Sequence, residues 1–189
     1  MTTALNRITR IALLSLLVFS ALGLYLTDLA REPAVTDFLL GNRPMWIQLS
    51  VGTAVGFFAA LAAWWWIRQS FMTQVHNKYV QLFQSFRLSI TDIVIISLSA
   101  GIGEELFFRG AIQPYLGVIW TAILFVALHG YLNPKDWRMA SYGILMTLII
   151  VALGYMTEMI GIVSAMTAHV MIDLFLLFKL MNSSPRKIS

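Results

Sequence analysis

The stretch Gly103-Glu104-Glu105-Leu106-Phe107-Phe108-Arg109-Gly110 sets three full charges inside a segment, about Ser89 to Gln113, that is otherwise apolar enough to cross a bilayer. Each ionised side chain near the centre of a membrane helix costs roughly 2.5 to 3.5 kcal/mol on insertion scales. Three together oppose insertion by several kcal/mol unless they pair or line a wet cavity. Chemistry is the strongest reason to keep them.

Working outward, the chain of 189 residues is 59% hydrophobic and only 12% charged, with a mean hydropathy of +0.78. Soluble domains hold roughly 45 to 50% apolar residues, so the composition implies an integral membrane protein. The length suits a single all-α membrane bundle of about six spans of about 20 residues, residues 1–189, with no room for a second soluble domain. The net charge of +4 comes from loop lysines and arginines flanking apolar segments and needs no nucleic-acid partner. The absence of cysteine excludes thiol catalysis, disulfides and thiolate metal ligands.

Apolar runs at Ile8 to Leu26 and Met45 to Ile67 read as the first two spans, the first as an uncleaved span longer than a signal-peptide core. A polar connection from Thr27 to Pro44 joins them. Trp64-Trp65-Trp66 and Arg68 read as interface anchors. From Gln69 to Leu88, Met72, Val75, Tyr79, Leu82, Phe83 and Phe86 recur at three- and four-residue spacing, the pattern of an amphipathic helix in the interface plane. A third span from Ser89 to Gln113 should end or kink at Pro114. Further spans are expected at Gly117 to Tyr131, Met139 to Met156 and Gly161 to Met181.

With the amino terminus inside, Arg7, Arg10, Arg68, Lys78, Arg87, Lys135, Arg138, Lys179, Arg186 and Lys187 all fall on the cytoplasmic side. Only Arg31, Arg43 and Arg109 do not, giving ten against three of the 13 basic residues. Both termini are therefore expected in the cytoplasm.

Besides Glu104, Glu105 and Arg109, the spans contain His129 in the fourth and His169 with Asp173 in the sixth. Glu105 and Arg109, four apart, share a helical face and can pair, while Glu104 points about 100° away toward a different partner. His169 and Asp173 also share a face. Each element taken singly has a structural reading: an ion pair, a helix-to-helix hydrogen bond, interhelical glue. Their joint occurrence on three helices favours a catalytic site. His76 and Asp92 read as solvated positions in or beside loops, and Glu158 as part of a connection.

These motifs resemble those of the CAAX protease and bacteriocin-processing enzyme (CPBP or Abi) family of intramembrane proteases. The match is EExxxR at Glu104 to Arg109, FxxxH at Phe125 to His129, and HxxxN/D at His169 to Asp173, in order, within a core of about 89–181. The resemblance implies a peptidase in which Glu104 and His129 activate water, Glu105 and Arg109 brace the site, and His169 with the residue four later lines the oxyanion site. Many members carry asparagine where this chain has Asp173. An ionised carboxylate repels an oxyanion, so Asp173 is either protonated or serves to orient His169. Phe125 is expected to pack behind His129.

The motifs of other intramembrane proteases, HExxH, GxGD and GxSG, are absent. By ligand type, Glu104, His129 and His169 also suit a zinc site with an open position, although the resemblance favours a metal-free glutamate mechanism without a cofactor. The expected partners are a peptide or protein substrate and the lipid bilayer, with a bacterial plasma membrane as the expected location. Two other readings compete: a non-catalytic scaffold or immunity-type protein that binds a peptide, and a transporter or proton channel. A scaffold needs none of the charged residues, and a transporter should show repeats and more broken helices than Pro114 provides.

Overall fold

Capping side chains set where the long helices begin. In a computed structural model that describes residues 6–30 and 35–187, the Ser89 hydroxyl accepts from the Asp92 amide at 3.1 Å, and Asp92 Oδ2 accepts from the Ser89 amide at 3.0 Å. This reciprocal box starts α5. Asp92 also accepts from the Thr9 hydroxyl at 2.5 Å. It is buried between two helices, a correction to its reading as a solvated residue. Asp136 starts α7 by accepting from the amides of Arg138 and Met139 at 3.1 and 3.2 Å.

The helices are α1 Arg7–Ala30, α2 Val35–Leu40, α3 Met45–Ile67, α4 Thr73–Ser85, α5 Ile90–Glu105, α6 Gln113–Leu128, α7 Trp137–Met159 and α8 Ile162–Met181. A π-helical segment, Leu106–Ile112, joins α5 to α6. The connection expected at Thr27 to Pro44 contains the end of α1 and all of α2, while Arg31 lies outside the described residues. Among the described residues the architecture is an all-helical polytopic bundle with five helical runs long and apolar enough to cross a membrane.

Five runs stand where six spans were expected, because the third and fourth form one run of 39 residues, Ile90–Leu128. Straight, it would extend about 58 Å, twice the roughly 30 Å hydrocarbon thickness. It is broken at Gly117, with φ 70° and ψ 172°, a conformation glycine adopts without a Cβ penalty. Pro114, where the break was expected, sits in the first turn of α6, which continues directly from the π-helical segment. Beyond Gly117, residues 118–128 rise only about 16 Å.

Small residues control the helix contacts. α3 lays Gly52 and Gly56 against the backbone of α8 at Ser164 and Ala168, with Ala60 and Ala63 fully buried one and two turns on. Such stripes let backbones approach closely where lipid supplies no hydrophobic drive. α1 runs parallel to α5: Thr9 meets Asp92 at one end and Thr27 meets Gly110 at the other. α6 and α7 are antiparallel, with Gln113 beside Glu158 and Tyr131 over Gly143. Leu17, Phe58, Trp120 and Leu148 point outward and are exposed, as a lipid-facing surface requires.

α4 lies across one end of the bundle. Gln84 Nε2 donates to the carbonyls of Met181 and Ser183, and Asn6 Nδ2 donates to Phe86 O at 2.6 Å. Both described ends of the chain therefore sit beside α4. Its inner face is Thr73, Val75, His76 and Val80, while Leu82 is exposed. His76 was read as solvated but is buried against Trp64, and burial, with Arg186 and Arg68 adding in the same direction, holds its imidazole below the ordinary pKa.

A methyl group at Gly56 would overlap the Ala168 carbonyl. Gly56→Ala is expected to destabilise the protein by about 1–3 kcal/mol, read as a lower thermal midpoint in detergent.

Candidate active site

Glu104 and Glu105 project from α5 in different directions and meet different helices. Glu105 is fully buried. Its Oε2 accepts from Arg109 Nε at 2.7 Å, and its Oε1 accepts from His169 Nδ1 at 3.0 Å. Arg109, also fully buried, donates from Nη1 to Gln113 Oε1 and from Nη2 to the Ile150 carbonyl, both at 3.2 Å. Gln113 continues to Gly154 O at 3.3 Å and Glu158 Oε1 at 3.0 Å. One polar chain thus ties α8, α5, α6 and α7 together. Arg109 occupies the π-helical segment, a form frequently found at functional sites.

Glu104 faces His129, with Oε2 3.5 Å from Nε2. That separation exceeds the usual hydrogen-bond range, and Glu104 Oε2 is buried without a hydrogen-bond partner in the protein. The Glu104 side chain is 18% exposed and that of His129 34%, so the pair stands at the edge of the packed interior. The His129 ring is fixed from behind. Its Nδ1–H donates to Phe125 O at 2.7 Å, leaving Nε2 as the nitrogen turned toward Glu104. Phe125 stacks on the ring at 4.4 Å and meets His169 edge-on at 5.7 Å.

The local backbone explains how His129 reaches that depth. It is the C-cap of α6, and Gly130, at φ 76°, terminates the helix. The Gly130 amide donates to Ala127 O at 2.9 Å and the Tyr131 amide to Val126 O at 3.3 Å, the paired bonds of a Schellman motif. The break at Gly117 and the stop at Gly130 shorten α6 until Glu104 and His129 meet.

His169 Nε2 lies 3.7 Å from Asp173 Oδ2, so this side chain links Glu105 on one side to Asp173 on the other. Asp173 borders a cavity of ≈ 80 Å³ that is also lined by Tyr131, Tyr142, Trp64 and, from α4, Tyr79 and Phe83. The cavity therefore lies toward the α4 end. Burial pushes the Tyr131 and Tyr79 hydroxyls above the ordinary phenol pKa, leaving both as neutral donors.

The six residues singled out in the sequence fall into two linked groups, Glu104 with His129 and Glu105 with Arg109, His169 and Asp173. Gln113, Tyr131 and Gly130 belong to the same site and were not singled out. A glutamine four residues beyond Arg109 in an apolar run was a readable signal. The role of Tyr131 depends on the chain reversing at Gly130, which spacing does not reveal. His169 turns its two nitrogens to Glu105 and Asp173, and among the described residues no three metal-ligating side chains converge.

A family model described as type II CAAX prenyl endopeptidase Rce1-like matches residues 86–175, a range that contains all six residues. The uncharacterized protein YpbD of Bacillus subtilis (strain 168) is 30% identical over 164 residues, covering 85% of this chain and 82% of that protein. The chain belongs to the CAAX-protease family. No solved structure matches it. The family is one of proteases, and this CAAX-protease relative is an integral membrane protein by its apolar helices.

Two outcomes follow from this geometry. Nothing lies near a Cβ at Gly130, so Gly130→Ala should act through backbone strain alone, costing about 1 kcal/mol, and Gly130→Asn should cost less. Arg109→Met leaves the Glu105 carboxylate buried without its guanidinium and is expected to cost about 3–5 kcal/mol. Thermal unfolding of the purified variants measures both.

Proposed function

We propose that this protein is an intramembrane endopeptidase that hydrolyses a peptide bond with a water activated by Glu104 and His129. The observation that carries the reading is the Glu104 carboxylate, partly buried and lacking a hydrogen-bond partner at Oε2, beside the fixed Nε2 of His129. Glu104 takes one proton from the water as its oxygen attacks the peptide carbonyl carbon. His129 Nε2 accepts a hydrogen bond from the hydroxyl that remains and so orients the attack. Collapse of the tetrahedral intermediate breaks the C–N bond, and the proton held by Glu104 passes to the leaving amine.

The oxyanion is assigned to His169. As an imidazolium it donates Nδ1–H to Glu105 and Nε2–H to the developing charge. The formal charges of Glu105, Arg109, His169 and Asp173 then sum to zero. Asp173, 3.7 Å from the same Nε2, balances the imidazolium charge without taking its hydrogen, at a position where many members of the family carry asparagine.

We further assign the α4 end to the cytoplasmic side of a bacterial inner membrane. Arg7 and Arg10 begin α1, Arg68 ends α3, Lys78 lies on α4, and Arg138 and Lys179 lie at the start of α7 and end of α8, so the basic residues gather at that end. Because the chain has no cysteine, Lys135→Cys gives a single label site. It should react with an impermeant maleimide only after the cells are opened.

The deciding experiment is cleavage of a quenched peptide library by purified protein. Glu104→Gln and His129→Ala should each lower cleavage by about 100- to 10,000-fold, while Asp173→Asn should stay within about tenfold of wild type and a chelator should have no effect. Cleavage that survives Glu104→Gln, or that the chelator abolishes, would sink the mechanism.

A further inference from the structure

Beside the α4 end, and apart from the residues assigned to catalysis, Arg68, Lys179 and Arg186 line a cavity of ≈ 330 Å³ together with Trp64, His76 and Phe178. No carboxylate lines it. The Arg68 guanidinium lies over the Trp64 ring at 5.8 Å and the Lys179 ammonium over Phe175 at 5.5 Å, and neither has a carboxylate partner among the described residues. Arg186 is held by its backbone: Asn77 Nδ2 donates to its carbonyl, and Asn77 Oδ1 accepts from its amide, both at 2.7 Å. Its side chain donates to Arg68 O at 2.5 Å. Three cations are thus gathered at the end of the bundle, with no carboxylate among the described residues that line the cavity.

Phe178 is also a wall of a second hollow, a groove of ≈ 320 Å³ between α3, α5 and α8 whose other walls include Phe57, Ile93, Val94, Met171 and Phe175. Every residue lining it is apolar. From Lys179 back to Met171 the groove follows α8 for about 12 Å, toward the middle of the bundle. A cationic head site and an apolar trough share a wall, and the trough runs along a spanning helix.

We propose that this composite site binds an anionic phospholipid, its phosphate among Arg68, Lys179 and Arg186 and an acyl chain in the groove along α8. A free phosphate uses only the first hollow, and a neutral lipid leaves the three cations unmatched. Basic pockets between spanning helices at the membrane surface are suited to anionic headgroups, and the groove supplies the direction such a lipid must take.

The test uses purified full-length protein in nanodiscs of equal dioleoyl-phosphatidylglycerol and dioleoyl-phosphatidylcholine, with retained lipids counted by native mass spectrometry. Wild type should retain phosphatidylglycerol selectively. Arg68→Gln with Lys179→Gln should reduce that preference about thirtyfold, and Val94→Trp, which fills the groove, should also reduce retention. Lys78→Gln with Lys135→Gln, which removes two charges at the same end but outside both hollows, should leave the preference unchanged. Equal loss in this control pair would mean diffuse surface charge and would overturn the site. So would an unaltered preference in the Arg68/Lys179 variant, or displacement of the lipid by millimolar inorganic phosphate.

Discussion

The buried contact between Glu105 and Arg109 is the constraint around which the bundle is arranged. Both groups are fully buried, and neither charge is tolerable in hydrocarbon without the other. Satisfying the remaining donors of the guanidinium recruits Gln113 from α6 and a carbonyl from α7, while the second carboxylate oxygen recruits His169 from α8. Four helices are thereby fixed together by groups that have no alternative partner in lipid. The pair proposed to activate water borrows this rigidity, since Glu104 is the neighbouring residue on the same helix.

Around that centre, backbone irregularities bring His129 into reach. A regular helix continued through Ile90–Leu128 would carry the second motif far from the first. The π-helical segment, the turn at Gly117 and the Schellman stop at Gly130 return the chain and end it beside Glu104. Phe125 and its carbonyl then fix the imidazole ring.

Much of this was legible in the sequence because it follows from spacing on a helix. Glu105 and Arg109 pair as their separation of four implies, Glu104 takes a different partner, and Phe125 packs behind His129. The helical membrane class followed from composition. What spacing could not show is how far a helix continues. The amphipathic pattern of α4 was visible, yet Leu82 faces outward and His76 inward, because packing against α3 and α8 selects a different stripe from the most apolar one. Asp92 was misread for the same reason, since its burial depends on Thr9, 83 positions away in sequence. The link from His169 to Glu105 likewise joins helices that no local pattern relates.

The short reach of α6 has a consequence for the surrounding bilayer. A helix whose regular part rises about 16 Å covers only about half of a hydrocarbon layer roughly 30 Å thick, and the chain after it, from His129 to Asp136, is not helical. Backbone of that kind cannot face lipid tails without water or protein behind it; the Tyr131 carbonyl packs against α7 at Gly143, and a bilayer meeting the uncovered remainder would be thinned or hydrated there. Hydrophobic mismatch of this sort is local. A spanning segment that drifted to the same place would lose the hydrocarbon around its last turns, and unwinding those turns to expose a peptide bond would no longer leave amides unsatisfied.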